Sequence, residues 1–139
     1  MSKVINTNSP GTRRSQLRRT VAEILRQLML KRELDEEAKD MAACVVFCLR
    51  EISDTVETST LAWEKRDYYV KADHFRRQWE WTLPAAQRLQ TLILADDWEQ
   101  LPQELASLAP YFSDIRVTKM TRSTDAWKSS YQRLKQAAQ

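Results

Sequence analysis

The stretch "MAACVVFCLREISDTV", residues 41–56, decides the fold class. Its apolar side chains recur at intervals of four and three residues, which is the spacing of one face of an α-helix. The members of this stripe are Met41, Val45, Cys48, Ile52 and Val56. Ala43, Val46 and Phe47 extend the apolar surface almost around the helix. Because a helix that is apolar on nearly all sides is usually buried, the pattern predicts a central helix over residues 36–58.

Composition favours helices over strands throughout the chain. The 139 residues include a single glycine and four prolines. Sheet proteins need tight turns, which favour glycine and the pairs Asn-Gly and Asp-Gly. Neither pair occurs in this sequence. We therefore expect residues 1–139 to form one all-α domain, a single helical bundle of four to six helices.

Capping residues and breakers predict where the helices begin. Thr12 is expected to cap a first helix over residues 13–32, and Asp35 the central helix. A third helix is predicted from residue 60 to at least 82, beyond which Pro84 either kinks it or opens a new helix.

The end of the chain is expected to carry a further helix. Ser123 or Thr124 would cap it, and its apolar side chains are Trp127, Tyr131 and Leu134. The domain then divides into a flexible arm (1–12), a bundle body (13–114), and a basic C-terminal segment with the last helix (115–139).

Charge is distributed unevenly although the net charge is only +3. Residues 1–34 carry eight basic and two acidic side chains, and residues 115–139 carry six basic and one acidic. Residues 35–114 carry eight basic and sixteen acidic side chains. This acidic body with two basic ends is the strongest functional hint in the sequence, because basic ends favour anionic partners such as nucleic acid, an acidic protein or an anionic membrane.

The first helix is expected to present an exposed basic face opposite its apolar stripe. Its candidate partner-binding residues are Arg13, Arg14, Arg18, Arg19 and Arg26. Such charges could contact nucleic-acid phosphates, an acidic protein or an anionic membrane, or simply face solvent. No helix-turn-helix turn or RNP-type aromatic motif accompanies them to read bases.

The stretch "KADHFRRQWEW", residues 71–81, contains the only histidine. On a continuous third helix, one column would hold the candidate partner-binding residues Trp63, Val70, His74, Arg77 and Trp81. Because two tryptophans in one column are rarely left in water, the column needs a cover. The cover could be another segment of this chain, such as the helix with Trp127, or a partner, a second copy or a small ligand. Arg77 is expected to stack on Trp81 and to pair with Asp73.

Catalytic and metal sites find little support. A structural zinc site needs about four Cys or His ligands, and the chain offers three, Cys44, Cys48 and His74. Lys71 stands where a di-iron motif would need glutamate, three residues before the histidine. An apolar setting is expected to raise the pKa of both thiols. With Gly11 alone, a glycine-rich phosphate loop is excluded.

These observations predict a non-enzymatic protein-binding or assembly module. An unknown protein or a second copy is the expected partner, with no cofactor and no metal. Binding of nucleic acid or a ribonucleoprotein through the arginines of the first helix is the alternative, and an enzyme is the third choice. No signal peptide opens the sequence, and the apolar run is shorter than the roughly 20 residues that span a bilayer. A cytoplasmic location is therefore expected.

Overall fold

A computed structural model describes residues 9–138, which form six α-helices and two short 3₁₀-helices. The α-helices are α1 (Pro10–Leu30), α2 (Glu36–Glu64), α3 (Tyr69–Trp79), α4 (Thr82–Leu94), α5 (Leu101–Leu108) and α6 (Ser130–Ala137). The 3₁₀-helices are Ala109–Phe112 and Thr124–Ala126. No strand occurs within residues 9–138. The prediction of an all-α helical bundle is therefore confirmed.

Helix α2 is the centre of the bundle, and it contacts α1, α3, α4 and α6. Every member of the predicted stripe from Met41 to Val56 is buried, as are Ala43 and Val46. The Asp35 carboxylate accepts a hydrogen bond from the backbone N–H of Ala38 at 2.8 Å, which confirms the predicted cap. The central position of this helix was correctly predicted, although it continues to Glu64.

Helix α1 begins earlier than predicted. Ser9, not Thr12, is its cap, and the Ser9 hydroxyl accepts a hydrogen bond from the Thr12 backbone N–H at 3.2 Å. Pro10 occupies the first turn, where a missing N–H costs nothing. Residues 10–12 of the predicted flexible arm therefore belong to α1. Residues 1–8 of the predicted arm lie outside the described residues.

The predicted continuous helix from residue 60 to 82 is wrong. Asp67 adopts a left-handed backbone conformation with φ of 65°, which Asp tolerates better than most residues. The Tyr68 N–H then bonds the Trp63 carbonyl at 2.9 Å, closing α2 and turning the chain back. A second break separates α3 from α4, and Pro84 falls in the first turn of α4.

The C-terminal segment lies against the other elements. Trp127 is buried after the second 3₁₀-helix, and α6 begins only at Ser130, because Ser129 has a φ of 63°. Helix α6 packs against α2. The prediction of a helix starting directly after Ser123 or Thr124 is therefore wrong by several residues, while Leu134 is buried as expected.

Candidate protein-binding groove

An apolar cavity of about 370 Å³ lies between the end of α1 and α5. Its size is within the range of ligand-binding clefts. One wall is formed by the end of α1, the connector to α2 and Ala38, and the other by α5 and the residues that flank it. The lining residues on α1 and the connector include Leu25, Leu28, Met29 and Leu34, and those on the opposite wall include Trp98, Leu101, Leu105 and Ala106.

A second cavity of about 270 Å³ continues the first along α1. Leu25, Met29 and Ala109 line both cavities, and the second extends to Ile115 and Val117. The two cavities therefore form one surface, which we call the α1–α5 groove. Met29, which is 83% exposed, lines both halves.

The sequence creates this groove because α1 is longer than the elements that cover it. Its apolar residues continue through Leu28, Met29 and Leu30, whereas α5 has only eight residues. Met29, Leu30 and Leu34 are exposed large apolar side chains at this end of the protein. Clustered exposure of this kind is typical of interaction sites.

Cations border the groove. Arg26, Lys31 and Arg32 are among the lining residues, with Glu33 as the only acid among them. Lys31 is paired with Asp35 at 2.9 Å and also with Glu37. Within residues 9–138, no ion pair involves Arg26 or Arg32. The rim therefore has uncompensated positive charge.

Three of the five predicted binding arginines, Arg13, Arg18 and Arg19, form ion pairs inside the protein. Arg13 is paired with Glu51 of α2. Arg18 binds the Asp114 carboxylate at 2.6 Å and the Tyr111 carbonyl at 2.9 Å. The hydrogen bond from Arg18 lowers the pKa of Asp114.

Arg14 has no carboxylate partner within the described part of the chain. Its guanidinium lies 4.7 Å from the centre of the Phe75 ring and within 3.4 Å of the Ser59 hydroxyl. Burial lowers the pKa of this arginine. Arg26 is the only one of the five that lines the groove.

Glu23 organises the face of α1 that the sequence predicted to be free. This carboxylate is fully buried and bonded to Arg19 at 2.6 Å. It also accepts hydrogen bonds from the backbone N–H groups of Thr121 at 2.7 Å and Arg122 at 2.9 Å, and from the Thr121 hydroxyl. Burial alone would raise the pKa of Glu23, but these hydrogen bonds outweigh it and lower the pKa to about 2.

The segment held by Glu23 covers the face that was expected to be exposed. Arg19 donates to the carbonyls of Arg116 and Lys119, and Ala22 is buried. The expectation of a freely exposed face is therefore wrong for Arg18 and Arg19, because the segment after the first 3₁₀-helix lies on it. It holds for Arg26, which is exposed.

The predicted tryptophan column does not exist, because the chain turns between its members. Trp63 lies in the last turn of α2, and its ring packs edge-on against the Phe75 ring with the ring centres 4.9 Å apart. Trp81 stacks on Tyr111 with centres 3.8 Å apart. Tyr111 thus covers Trp81 from within the chain. The suggested cover, Trp127, instead directs its Nε1–H to the Glu37 carboxylate at 3.3 Å.

The remaining members of that column are exposed on α3. Val70 is 83% exposed, and His74 is exposed as well. Arg77 pairs with Asp73 at 3.2 Å, which confirms that pairing. Stacking of Arg77 on Trp81 is not found among the cation–π contacts of the described residues.

The two thiols lie together in the core with their sulfur atoms 3.9 Å apart. The hydrogen bond between them lowers the pKa of Cys44 and, with burial, raises that of Cys48. The expectation of a raised pKa is therefore wrong for Cys44. Within residues 9–138, no three His, Cys, Asp or Glu side chains cluster as metal ligands would. None of the helices in that range is long and apolar enough to cross a membrane.

Comparison of the chain with protein-family models, curated proteins and solved structures gives no match. The α1–α5 groove and the charges around it are therefore the basis for a functional proposal.

Proposed function

We propose that this protein is a non-enzymatic binding module whose α1–α5 groove holds an amphipathic, acidic helix from a partner protein. The observation that carries the proposal is the continuous apolar groove with an unpaired cationic rim. Grooves of this kind between helices receive the apolar face of a partner helix, which presents side chains at positions i, i+3, i+4 and i+7.

The length of the groove suits a short helix. Helix α5 and the 3₁₀-helix that follows it cover residues 101–112. At about 1.5 Å per residue, this wall is about 18 Å long, which corresponds to roughly three turns of a partner helix. The two cavities would then receive successive apolar side chains on either side of Met29.

The charges favour an acidic partner. Arg26 and Arg32 line the groove, and Arg116 and Lys119 are exposed cations close in sequence to the lining residues Ile115 and Val117. The rest of the body is acidic, since residues 35–114 carry sixteen acidic and eight basic side chains. Acidic groups on the partner would be attracted to the rim and repelled elsewhere, which favours a single orientation of docking.

The nucleic-acid alternative receives less support from the contacts of α1. Arg13, Arg18 and Arg19 each have an acidic partner inside the protein. Phosphate contacts by these side chains would have to compete with those ion pairs. Of the five predicted arginines, Arg26 at the groove rim is the exposed one that forms no ion pair within residues 9–138.

The proposal can be tested by selecting binders from a displayed library of random peptides about 15 residues long, enough for four helical turns. We expect enrichment of sequences with apolar residues at helical spacing and with Asp or Glu between them. Synthetic copies of the enriched peptides would then be titrated by fluorescence anisotropy.

Two neighbouring residues of α5 provide a matched pair of variants. Ala106→Arg places a large side chain in the groove, and we expect affinity to fall at least tenfold, on the order of one lost anchor side chain. Ser107→Arg adds the same charge on the same helix outside the groove and should leave binding unchanged. Arg26→Gln with Arg32→Gln should weaken binding and reduce its dependence on salt.

Three results would contradict the proposal. The library could yield no helical pattern, the peptides could bind Ala106→Arg as well as the native protein, or basic peptides could be selected. Binding of mixed-sequence DNA or RNA at about 50 mM salt that survives Ala106→Arg would favour the nucleic-acid function instead.

A further inference from the structure

The turn between α2 and α3 exposes a second group of apolar side chains. Tyr68, Tyr69 and Val70 are consecutive in sequence and are 52%, 58% and 83% exposed. We call residues 65–71 the α2–α3 tip. Its apolar side chains project from the end of a helical hairpin, so they are not partly exposed members of the hydrophobic core.

The local backbone explains this exposure. Asp67 turns the chain through a left-handed conformation, and α3 starts immediately afterwards at Tyr69. Ala72 is the only buried residue of α3, so the helix rests on α2 through that small side chain, the half-buried Phe75 and the ion pairs of Arg76. The residues before Ala72 extend beyond this contact.

The tip is also basic. Lys65, Arg66 and Lys71 form no ion pair within residues 9–138, and Asp67 is the one acid among them. The Lys71 ammonium lies 4.5 Å from the centre of the Trp63 ring.

Adjacent carboxylates do not offset this charge, because each is paired. Glu64 is bonded to Arg76 at 2.9 Å, and Asp73 is bonded to Arg77 at 3.2 Å. The hydrogen bond from Arg76 lowers the pKa of Glu64. The tip therefore combines three unpaired cations and one acid, Asp67, a net charge of +2, with three exposed apolar side chains.

We propose that the α2–α3 tip is a docking site for anionic lipid membranes. Tyrosine rings are favoured at the level of lipid headgroups, where one end of the ring is apolar and the other polar. Lysine and arginine near the surface are attracted by anionic headgroups. Val70, the most exposed of the three apolar residues, would enter the acyl boundary, a contact that nucleic acid would not provide.

This surface is separate from the α1–α5 groove. Ala38, near the start of α2, lines the groove, whereas the tip follows Glu64 at the end of the same helix. The 26 residues between them correspond to about 40 Å along the helix axis. Variants of one surface therefore leave the other unchanged, and the two proposals can fail independently.

The test is co-sedimentation of the whole protein with vesicles of phosphatidylcholine alone or with about 30% phosphatidylserine, the anionic lipid of a cytoplasmic leaflet. We expect sedimentation with the anionic vesicles only, decreasing as salt is raised. Lys65→Gln, Arg66→Gln and Lys71→Gln together should weaken binding on the order of 100-fold, at roughly fivefold for each cation. Tyr69→Ser with Val70→Ser should weaken it on the order of tenfold.

Leu83→Ser is the control, because Leu83 on α4 is 54% exposed, close to the value for Tyr69, and lies outside both the tip and the α1–α5 groove. All the substituted side chains are solvent-exposed, and circular dichroism would verify that each variant remains folded. Retained binding in the control and loss in both tip variants would support the proposal. It would be overturned if no anionic vesicles sediment the protein at about 50 mM salt, where electrostatic attraction is weakly screened. Unchanged binding in the tip variants, or loss in the control, would overturn it as well.

Discussion

Replacing Glu23 by Gln should reveal how strongly the segment after the first 3₁₀-helix is held on α1. The substitution keeps the shape of the side chain but removes its charge, as protonation does. Gln still offers one carbonyl oxygen to the N–H groups of Thr121 and Arg122. Its amide, however, would direct a donor toward the Arg19 guanidinium, which is itself a donor.

The pKa of Glu23 provides the expected magnitude. A lowering from the usual 4.5 to about 2 corresponds to about 3 kcal/mol of stabilisation of the charged form, at about 1.4 kcal/mol per pKa unit. Because the pKa is lower in the folded protein, the unfolded chain binds the proton more tightly. This stabilisation is complete above pH 4.5 and is lost as the pH falls toward 2.

The assay is urea unfolding of both proteins between pH 7 and pH 2, followed by circular dichroism. We expect the native protein to be about 3 kcal/mol more stable than Glu23→Gln at pH 7, and the difference to decrease between about pH 4.5 and 2. Other carboxylates titrate in both proteins and cancel in the difference. Glu33→Gln, at an exposed glutamate, should change the free energy of unfolding by no more than about 0.5 kcal/mol.

Limited proteolysis would measure the stability of this segment separately from global unfolding. Trypsin should cleave after Arg116 and Lys119 faster in Glu23→Gln, because their carbonyls are held by Arg19 and the segment by Glu23. A stability difference that stays constant from pH 7 to pH 2 would refute the assigned role of the carboxylate. So would a difference below about 1 kcal/mol at pH 7, the size of a single neutral hydrogen bond.

Three further predictions concern the fold. Ile52→Ala should destabilise the protein by about 2–5 kcal/mol, because it removes buried apolar surface and leaves a cavity. Cys48→Ala should destabilise it clearly less, because fewer atoms are removed. Equal urea midpoints for the two variants would contradict the position of α2. Asp67→Gly should preserve or raise the thermal midpoint and Asp67→Val should lower it, since φ at this position is 65° and a β-branched residue is strained there. Tyr111→Ala should shift tryptophan emission to longer wavelength by uncovering Trp81, and an unchanged spectrum would argue against their stacking.

The sequence predicted the central helix because its signal is local and redundant. The stripe from Met41 to Val56 repeats over four turns, and each member is buried. The break at Asp67 was missed because the apolar spacing continues in phase across the turn, and no glycine or proline marks it. A left-handed aspartate carries no local pattern that separates it from a helical one.

The site could be predicted only in part, for a different reason. Arg18 and Arg19 look free in the sequence because the segment that covers them lies 93 to 100 residues away along the chain. Glu23 was the available signal, since it interrupts the apolar run between Val21 and Ile24, four residues after Arg19. The groove depends on where α5 ends relative to α1, which is a tertiary relation that helical periodicity does not encode.

The long-range anchoring of α1 also sets an order of events during synthesis. Glu23 and Thr121 are separated by 98 residues. At about 5–20 residues per second, the ribosome needs roughly 5–20 s to add the residues that satisfy this carboxylate. Once α2 has been added, the nascent chain can pair α1 with α2, but Glu23 still has only Arg19 and water as partners. The emerging helical hairpin therefore stays less stable than the finished protein, and it is during this interval that the nascent chain is most exposed to proteases and to association with other chains.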